Sequence, residues 1–306
     1  MFVRRSPASL FLLAFLCPAA FGAGSAAASG SGPTVYVLQD AGAIEVYRGA
    51  RHWEIAGPDT QMNSVVDIKR QPLGDLVVSN REVDGKAGTI VSLPAEKGNV
   101  AAKYVIKCKG FTPWGIGIDR NSNIWMTDYE TNDVRAYAAT ANGCPAPLTK
   151  ISGPHTGLDQ PENVAVDRDG RIIVSNYLHG ILIFAPGSDG DAAPIRTITN
   201  GQVINAHLEG MTVDNKDNIW VTSYANQAVL EFAPDANGTA APKRVISGSK
   251  TRLDAPVGIA VDRKSGEIYV ADYGARAILV FGSDAAGNTA PVRTLSPGFD
   301  FGVAVH

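Results

Sequence analysis

Between Gly258 and Phe281 the chain alternates apolar and polar positions in short runs: GIAVD, a polar turn RKSGE, IYVADY, a short loop, then AILVF. A Gly/Asn/Pro loop and a last apolar run, VRTL, follow. Brief period-two or β-branched runs closed by turn residues predict strands, here four per unit. The unit recurs along the chain. An Asp closes the first strand at Asp119, Asp167, Asp214 and Asp262, at spacings of 48, 47 and 48 residues. The second strand reads IWMTDY, IIVSNY, IWVTSY and IYVADY, ending on Tyr129, Tyr177, Tyr224 and Tyr273. The third ends on Tyr137, Phe184, Phe232 and Phe281. A diverged copy runs from VVDIK through DLVVSN and TIVSL to YVIK, ending at Lys107.

A sixth copy is divided between the ends of the chain. GVAVH, Gly302 to His306, has the form of a first strand with His306 in the Asp slot. TVYVLQD and AIEVY, Thr34 to Tyr47, supply a second and a third strand that lack an inner partner. A ring accounts for both fragments, because the last strand completes the blade that the first strands begin. Closure removes an exposed sheet edge. Four strands in a period of 40 to 50 residues are the signature of a propeller blade. The predicted fold is all-β: one six-bladed propeller over residues 33–306, with roughly 46 residues per blade.

Hydrophobic content of 45% and charge content of 19% are ordinary for a globular chain. The 32 Gly and 18 Pro suit many tight turns. Arg4 and Arg5, the apolar run Leu10–Leu16 and the small residues after it predict a signal peptide and short linker over residues 1–28. Export to the periplasm or the extracellular space is therefore expected. Losing the leader removes two Arg and no acid from 27 basic and 30 acidic residues, leaving a net charge of −5. No basic stripe invites nucleic acid, and no later apolar run reaches membrane length. Nothing marks an assembly element, and a monomer is expected. Export permits a Cys108–Cys144 disulfide, whereas the blade register places the two at opposite faces of neighbouring blades, which argues against one. Asn237-Gly-Thr is a sequon in a predicted turn.

In a propeller the start of each first strand and the end of each second strand meet at one mouth of the central channel. The first ring there is Ser64 (or Asn63), Trp114, Glu162, Glu209, Val257 and Phe301; the second is Gln39, Asn80, Asp128, Asn176, Ser223 and Asp272. Trp114, Val257 and Phe301 form an apolar side, and Glu162 and Glu209 an acidic one. Asp128 and Asp272 are expected to face each other from opposite blades. Crowded carboxylates hold a cation or raise a pKa, and calcium, zinc or magnesium would suit this oxygen-rich set. The recurring closing Asp residues are assigned to turn architecture. The recurring tyrosines pack over the next loop, with Tyr129 and Tyr177 as candidate ligand contacts. His207, two residues before Glu209, is the one histidine near the cup. No zinc-spaced His pair and no GxSxG elbow occurs.

The units PVGIAVDRKSGEIYVADYGARAILVF and PENVAVDRDGRIIVSNYLHGILIFAP resemble NHL repeats. Through PWGIGIDRNSNIWMTDY the chain is also similar to the related virginiamycin B lyase and gluconolactonase-type propellers. The gluconolactonase-type resemblance implies a divalent metal at the mouth, with Glu162 and Glu209 in the slot before the Gly. The same slot also holds Trp114, Val257 and Phe301, which cannot ligate. The lyase resemblance implies a His in that slot, which this chain lacks. NHL propellers imply a binding platform for proteins or small molecules. The leading expectation is a small ligand or protein partner bound at Trp114, Phe301, Asn80, Tyr129 and Tyr177. The alternative is a metal-dependent hydrolase or lyase, lactonase-like, with metal on Glu162, Glu209 and Asn176 and with Asp128 or Asp272 as base. A purely structural envelope protein is the third.

Overall fold

The second and third strands are near-continuous apolar runs, such as IIVSN, GILIF and AILVF, and their positions are buried almost throughout, because each blade packs on both faces against its neighbours. The computed structural model describes residues 32–82, 87–177, 179–203, 205–295 and 300–306. The expected leader lies outside them. Among the described residues there are six four-stranded antiparallel sheets and one short 3-10 turn, Pro58–Thr60. The inner strands are Val65–Arg70, Pro113–Ile118, Pro161–Val166, Leu208–Val213, Pro256–Val261 and Asp300–Val305. No helix among the described residues is long and apolar enough to cross a membrane.

The ring closes as the split copy requires. Asp300–Val305 pairs with Thr34–Gln39, matching Val305 to Val35 and Val303 to Val37. Thr34 and His306 extend the ladder with reciprocal backbone bonds of 2.7 and 2.9 Å. Closure also buries side chains: Val35, Val37 and Val303 share a core with Tyr269, Ile278 and Val280 of the preceding blade. Gly32–His306 form one compact unit. Near the axis the inner strands approach closely. A Cβ on Gly115 would lie 2.3 Å from the Glu162 carbonyl oxygen, so no side chain fits there.

The closing Asp residues fold the hairpins. Asp119 Oδ1 accepts the N–H groups of Asn121 and Asn123, each at 2.8 Å. Asp214 repeats this with Lys216 and Asn218 at 2.7 and 3.0 Å, and its other oxygen takes the Trp220 indole N–H. Burial favours the neutral acid of Asp214, but the Asn218, Trp220 and backbone donors outweigh it and hold the carboxyl below its ordinary range. Asn237 of the sequon serves a related turn, where its Oδ1 accepts the Thr197 N–H at 3.1 Å.

One expectation is overturned. Cys108 and Cys144 form a disulfide, with Cα atoms 5.0 Å apart. The sequence register assumed that the loop entering each outer strand stays at its own blade. Instead its Gly runs parallel to the preceding blade's outer strand, as Ile106 with Gly143, Ile151 with Gly190 and Ile246 with Gly287. The Lys107 N–H donates to the Gly143 carbonyl at 2.7 Å, which lays the following Cys144 beside Cys108.

Two outcomes follow for stability. Cys108→Ser/Cys144→Ser releases a crosslink that spans 36 residues, and loop-closure entropy puts the loss at about 4 kcal/mol. Urea unfolding with and without reductant measures it, and the double variant should not respond to reductant. Asp214→Ala should cost about 1–3 kcal/mol at pH 7, because buried donors lose their acceptor. The folded pKa is depressed, so this stabilisation is present above the ordinary carboxyl value of 3.8 and fades as pH falls through the lower folded value. Unfolding curves of the two proteins should therefore be separated at pH 7 and draw together at acid pH.

Candidate functional site

Each inner strand begins with a break in register. Pro161 pairs with Asn176 and Asn163 with Ser175, leaving Glu162 as the extra residue. The same shift isolates Trp114, Glu209 and Val257. Phe301 stands at the matching break opposite Leu38 and Gln39. Bulges re-aim side chains, and here they build one mouth. In the diverged blade the break falls between Val65 and Asp67. Val66 therefore fills the slot that the sequence reading gave to Ser64 or Asn63. Ser64 instead holds the left-handed position just before the strand, with φ 37°.

Val66, Trp114, Val257 and Phe301 line a cavity of about 70 Å³ together with Glu209, Asn163, Asp67 and Arg81. The apolar side expected from Trp114, Val257 and Phe301 is thus present, and Val66 enlarges it. At the cavity floor the Asp67 carboxylate is fully engaged. It takes Lys69 Nζ at 2.9 Å, the Ile116 N–H at 3.0 Å and Asn163 Nδ2 at 3.1 Å.

The acidic side is Glu162, Glu209 and His207, whose ligand atoms all lie within 4.8 Å of one another. His207 Nε2 is 2.7 Å from Glu209 Oε1 and 3.9 Å from Glu162 Oε1. Glu162 is 1% exposed, and its Oε2 is buried without a hydrogen-bond partner. Burial, and next the Glu209 carboxylate, push the Glu162 pKa up to about 9, against a smaller opposing pull from the Trp114 indole. His207 reaches this place because it sits in the left-handed region, φ 48°, where its carbonyl accepts the Tyr224 N–H at 3.0 Å. Gln160 and Ala255 take the same conformation and accept from Tyr177 and Tyr273. The sequence signal for His207 was its position two residues before Glu209; the bulge at Glu209 brings both side chains together.

Aromatic rings run in a connected arc around the acids. Trp114 and Tyr129 have centroids 5.4 Å apart, Tyr129 and Tyr177 6.4 Å, Tyr177 and His207 4.2 Å, and His207 and Tyr224 4.9 Å. Tyr273 packs on Phe301 at 5.5 Å. Burial, then the charges of Glu162 and its acidic neighbours, push the Tyr129 hydroxyl up to about 12.

The second ring is turned away from the channel. Asn80, Asp128, Asn176, Ser223 and Asp272 are buried to 1% exposure or less. Each staples the loop before its own inner strand. Asn80 Oδ1 accepts the Asn63 N–H at 3.0 Å, and Asn176 donates to the Gly157 carbonyl at 2.9 Å. Ser223 donates to the Ala206 carbonyl at 3.1 Å. Asp128 accepts the Thr112 hydroxyl and the Thr131 N–H, and Arg135 lies 3.4 Å away. Asp272 accepts the N–H groups of Asp254 and Ala275, each at 2.8 Å. Asp128 and Asp272 thus do not confront each other across the axis, and the Asn176 amide is not directed at the Glu162 cluster. Burial is also the leading cause that pushes the Asp272 pKa up to about 6.

The staple has a direct test. Asp272→Ala should cost about 1–3 kcal/mol by orphaning two backbone donors. Asp272→Asn keeps one acceptor and should retain one of the two staple bonds, so its loss should be smaller. Because the folded pKa is raised, wild-type stability falls as pH rises from 3.8 to about 6. Urea unfolding at pH 4 and pH 7 should show this fall in the wild type and its attenuation in Asp272→Asn.

Residues 253–281 match the family model described as NHL repeat. No curated protein sequence matches the chain. The fold is shared widely among solved structures. A Bacteroides caccae protein of unknown function is 9% identical, covers 90% of this chain and 99% of its own, and superposes with a TM-score of 0.66. A chain of a nidogen/laminin complex is 14% identical, with coverages of 90% and 98% and a TM-score of 0.68. Virginiamycin B lyase from Staphylococcus aureus is 15% identical, with coverages of 83% and 82% and a TM-score of 0.54. At these identities the likeness is one of fold, and the chain is a six-bladed β-propeller with an NHL repeat at residues 253–281.

Proposed function

We propose that this propeller binds a small molecule at the mouth formed by Trp114, Glu209, Val257 and Phe301, above Glu162, in an exported chain. The carrying observation is the convergence at one mouth of bulged apolar side chains, a connected aromatic arc and a buried carboxyl whose Oε2 lacks a partner. Concave apolar surfaces with a few convergent polar groups are the usual small-molecule sites. The Cys108–Cys144 disulfide supports export, since such bonds persist in oxidising compartments. A thermal-shift screen of metabolites against wild type and Trp114→Ala tests the reading. At least one compound should raise the wild-type melting temperature by several degrees and lose that effect in the variant. Absence of such a compound, or equal shifts in both proteins, would contradict it.

A second reading draws on the Glu162, His207 and Glu209 cluster, whose donor set suits a divalent ion. A metal there would act as a Lewis acid toward a bound carbonyl in a hydrolase or lyase. In that case His207, through its 2.7 Å contact, would orient the Glu209 carboxylate. Elemental analysis of the purified chain decides it. Near-stoichiometric calcium, zinc or magnesium, lost in Glu162→Gln/Glu209→Gln, would favour it, and metal-free protein with a melting temperature indifferent to added ions would remove it.

A further inference from the structure

The mouth has a specific chemical deficit. Glu162 Oε2 is an acceptor without a donor, in a residue 1% exposed. The adjacent donor, His207 Nε2, is committed to Glu209 at 2.7 Å and stands 3.9 Å from the other Glu162 oxygen. An unmatched buried acceptor is costly, and a ligand N–H or O–H would relieve it. The surroundings select among donors. Trp114, Tyr129 and Tyr177 stand in ring-to-ring contact beside the acids, and aromatic faces attract cations within about 6 Å. Carboxyl groups crowd this side: Glu162, Glu130 and Glu209 all act on Tyr129. The cationic group lining the cavity is the exposed Arg81. Asp67 below is already satisfied by Lys69, Ile116 and Asn163.

Size narrows the choice further. A cavity of about 70 Å³ admits a headgroup, whereas a whole small-molecule ligand needs roughly 300 Å³ or more. The rest of the ligand must then lie over Trp114, Val257 and Phe301. A quaternary ammonium would satisfy the rings but offers no N–H to Glu162. A primary ammonium offers three.

We propose that the mouth recognises a primary amine with an apolar body. Its ammonium group lodges between Glu162 and Glu209, and its body rests on Val257 and Phe301. His207 lies 2.7 Å from Glu209, which lines the cavity, and 3.9 Å from the buried Glu162, and its side chain is 24% exposed. The entering ammonium therefore takes the place of His207 Nε2 against Glu209. The inference rests on the ligand-mouth reading and assigns its ligand class.

Calorimetric titration of the whole mature chain at pH 7 tests it, using 2-phenylethylamine, 2-phenylethanol, the trimethylammonium analogue of the amine, and calcium. The amine should bind at least tenfold more tightly than the alcohol or the quaternary compound. Glu162→Gln should abolish that preference, while Trp114→Ala should weaken the amine and the alcohol alike. Equal affinity for the three organic probes would overturn the inference yet leave the ligand mouth standing, provided Trp114→Ala still weakens them. Binding of calcium alone would overturn it in favour of a metal site. No binding by any probe at millimolar concentration would also overturn it.

Discussion

The backbone ladder between Asp300–Val305 and Thr34–Gln39 is the contact on which the rest depends. Four of the six inner strands lean on the next through glycine-permitted contact, as at Gly115 and Gly210, and each hydrophobic cluster spans two blades. A ring of this kind is complete only when the last strand finds the first. Closure holds six bulged side chains around one axis, and side chains far apart in sequence, such as Val66 and Phe301, come to line one cavity.

The site then follows from a local device used repeatedly. A register break at the head of each inner strand points one side chain toward the mouth, and before four of these strands a left-handed residue, Ser64, Gln160, His207 or Ala255, turns the chain. The end of the second strand pins the entering loop with a buried Asn, Asp or Ser. This division of labour lets the bulge residue vary widely, from Glu through Val to Trp, while the staple stays polar and short. The chemistry of the mouth can therefore change without disturbing the scaffold. Fold likeness alone does not carry activity, and the similar solved structures share the shape of this propeller at 9 to 15% identity.

Most of the fold was legible because strand pattern and turn chemistry repeat at nearly constant spacing. The Asp119, Asp167, Asp214 and Asp262 turns and the split blade emerged from that repetition alone. Trp114, Glu162, Glu209, Val257 and Phe301 were legible as a ring for the same reason. Val66 was not, because period-two counting cannot show where a bulge inserts its extra residue. The second ring was misplaced by a related ambiguity: alternation says that Asp128 and Asp272 end a strand, but not that nearby N–H groups draw their carboxylates into the loops. The disulfide was hidden because it depends on a loop lying against the neighbouring blade, a contact between repeats rather than within one. His207 was visible by proximity, yet its role needed the left-handed turn that carries it to Glu209.

The central claim is that the bulge-lined mouth, with Glu162 beneath it, is where the ligand binds. A crystal structure of the protein soaked with 2-phenylethylamine tests this most directly. The account predicts density for the amine between Glu162 and Glu209, with its ring against Val257 and Phe301. Density instead at the opposite mouth, among Arg70, Arg263 and His306, or no density at either end of the channel, would contradict it.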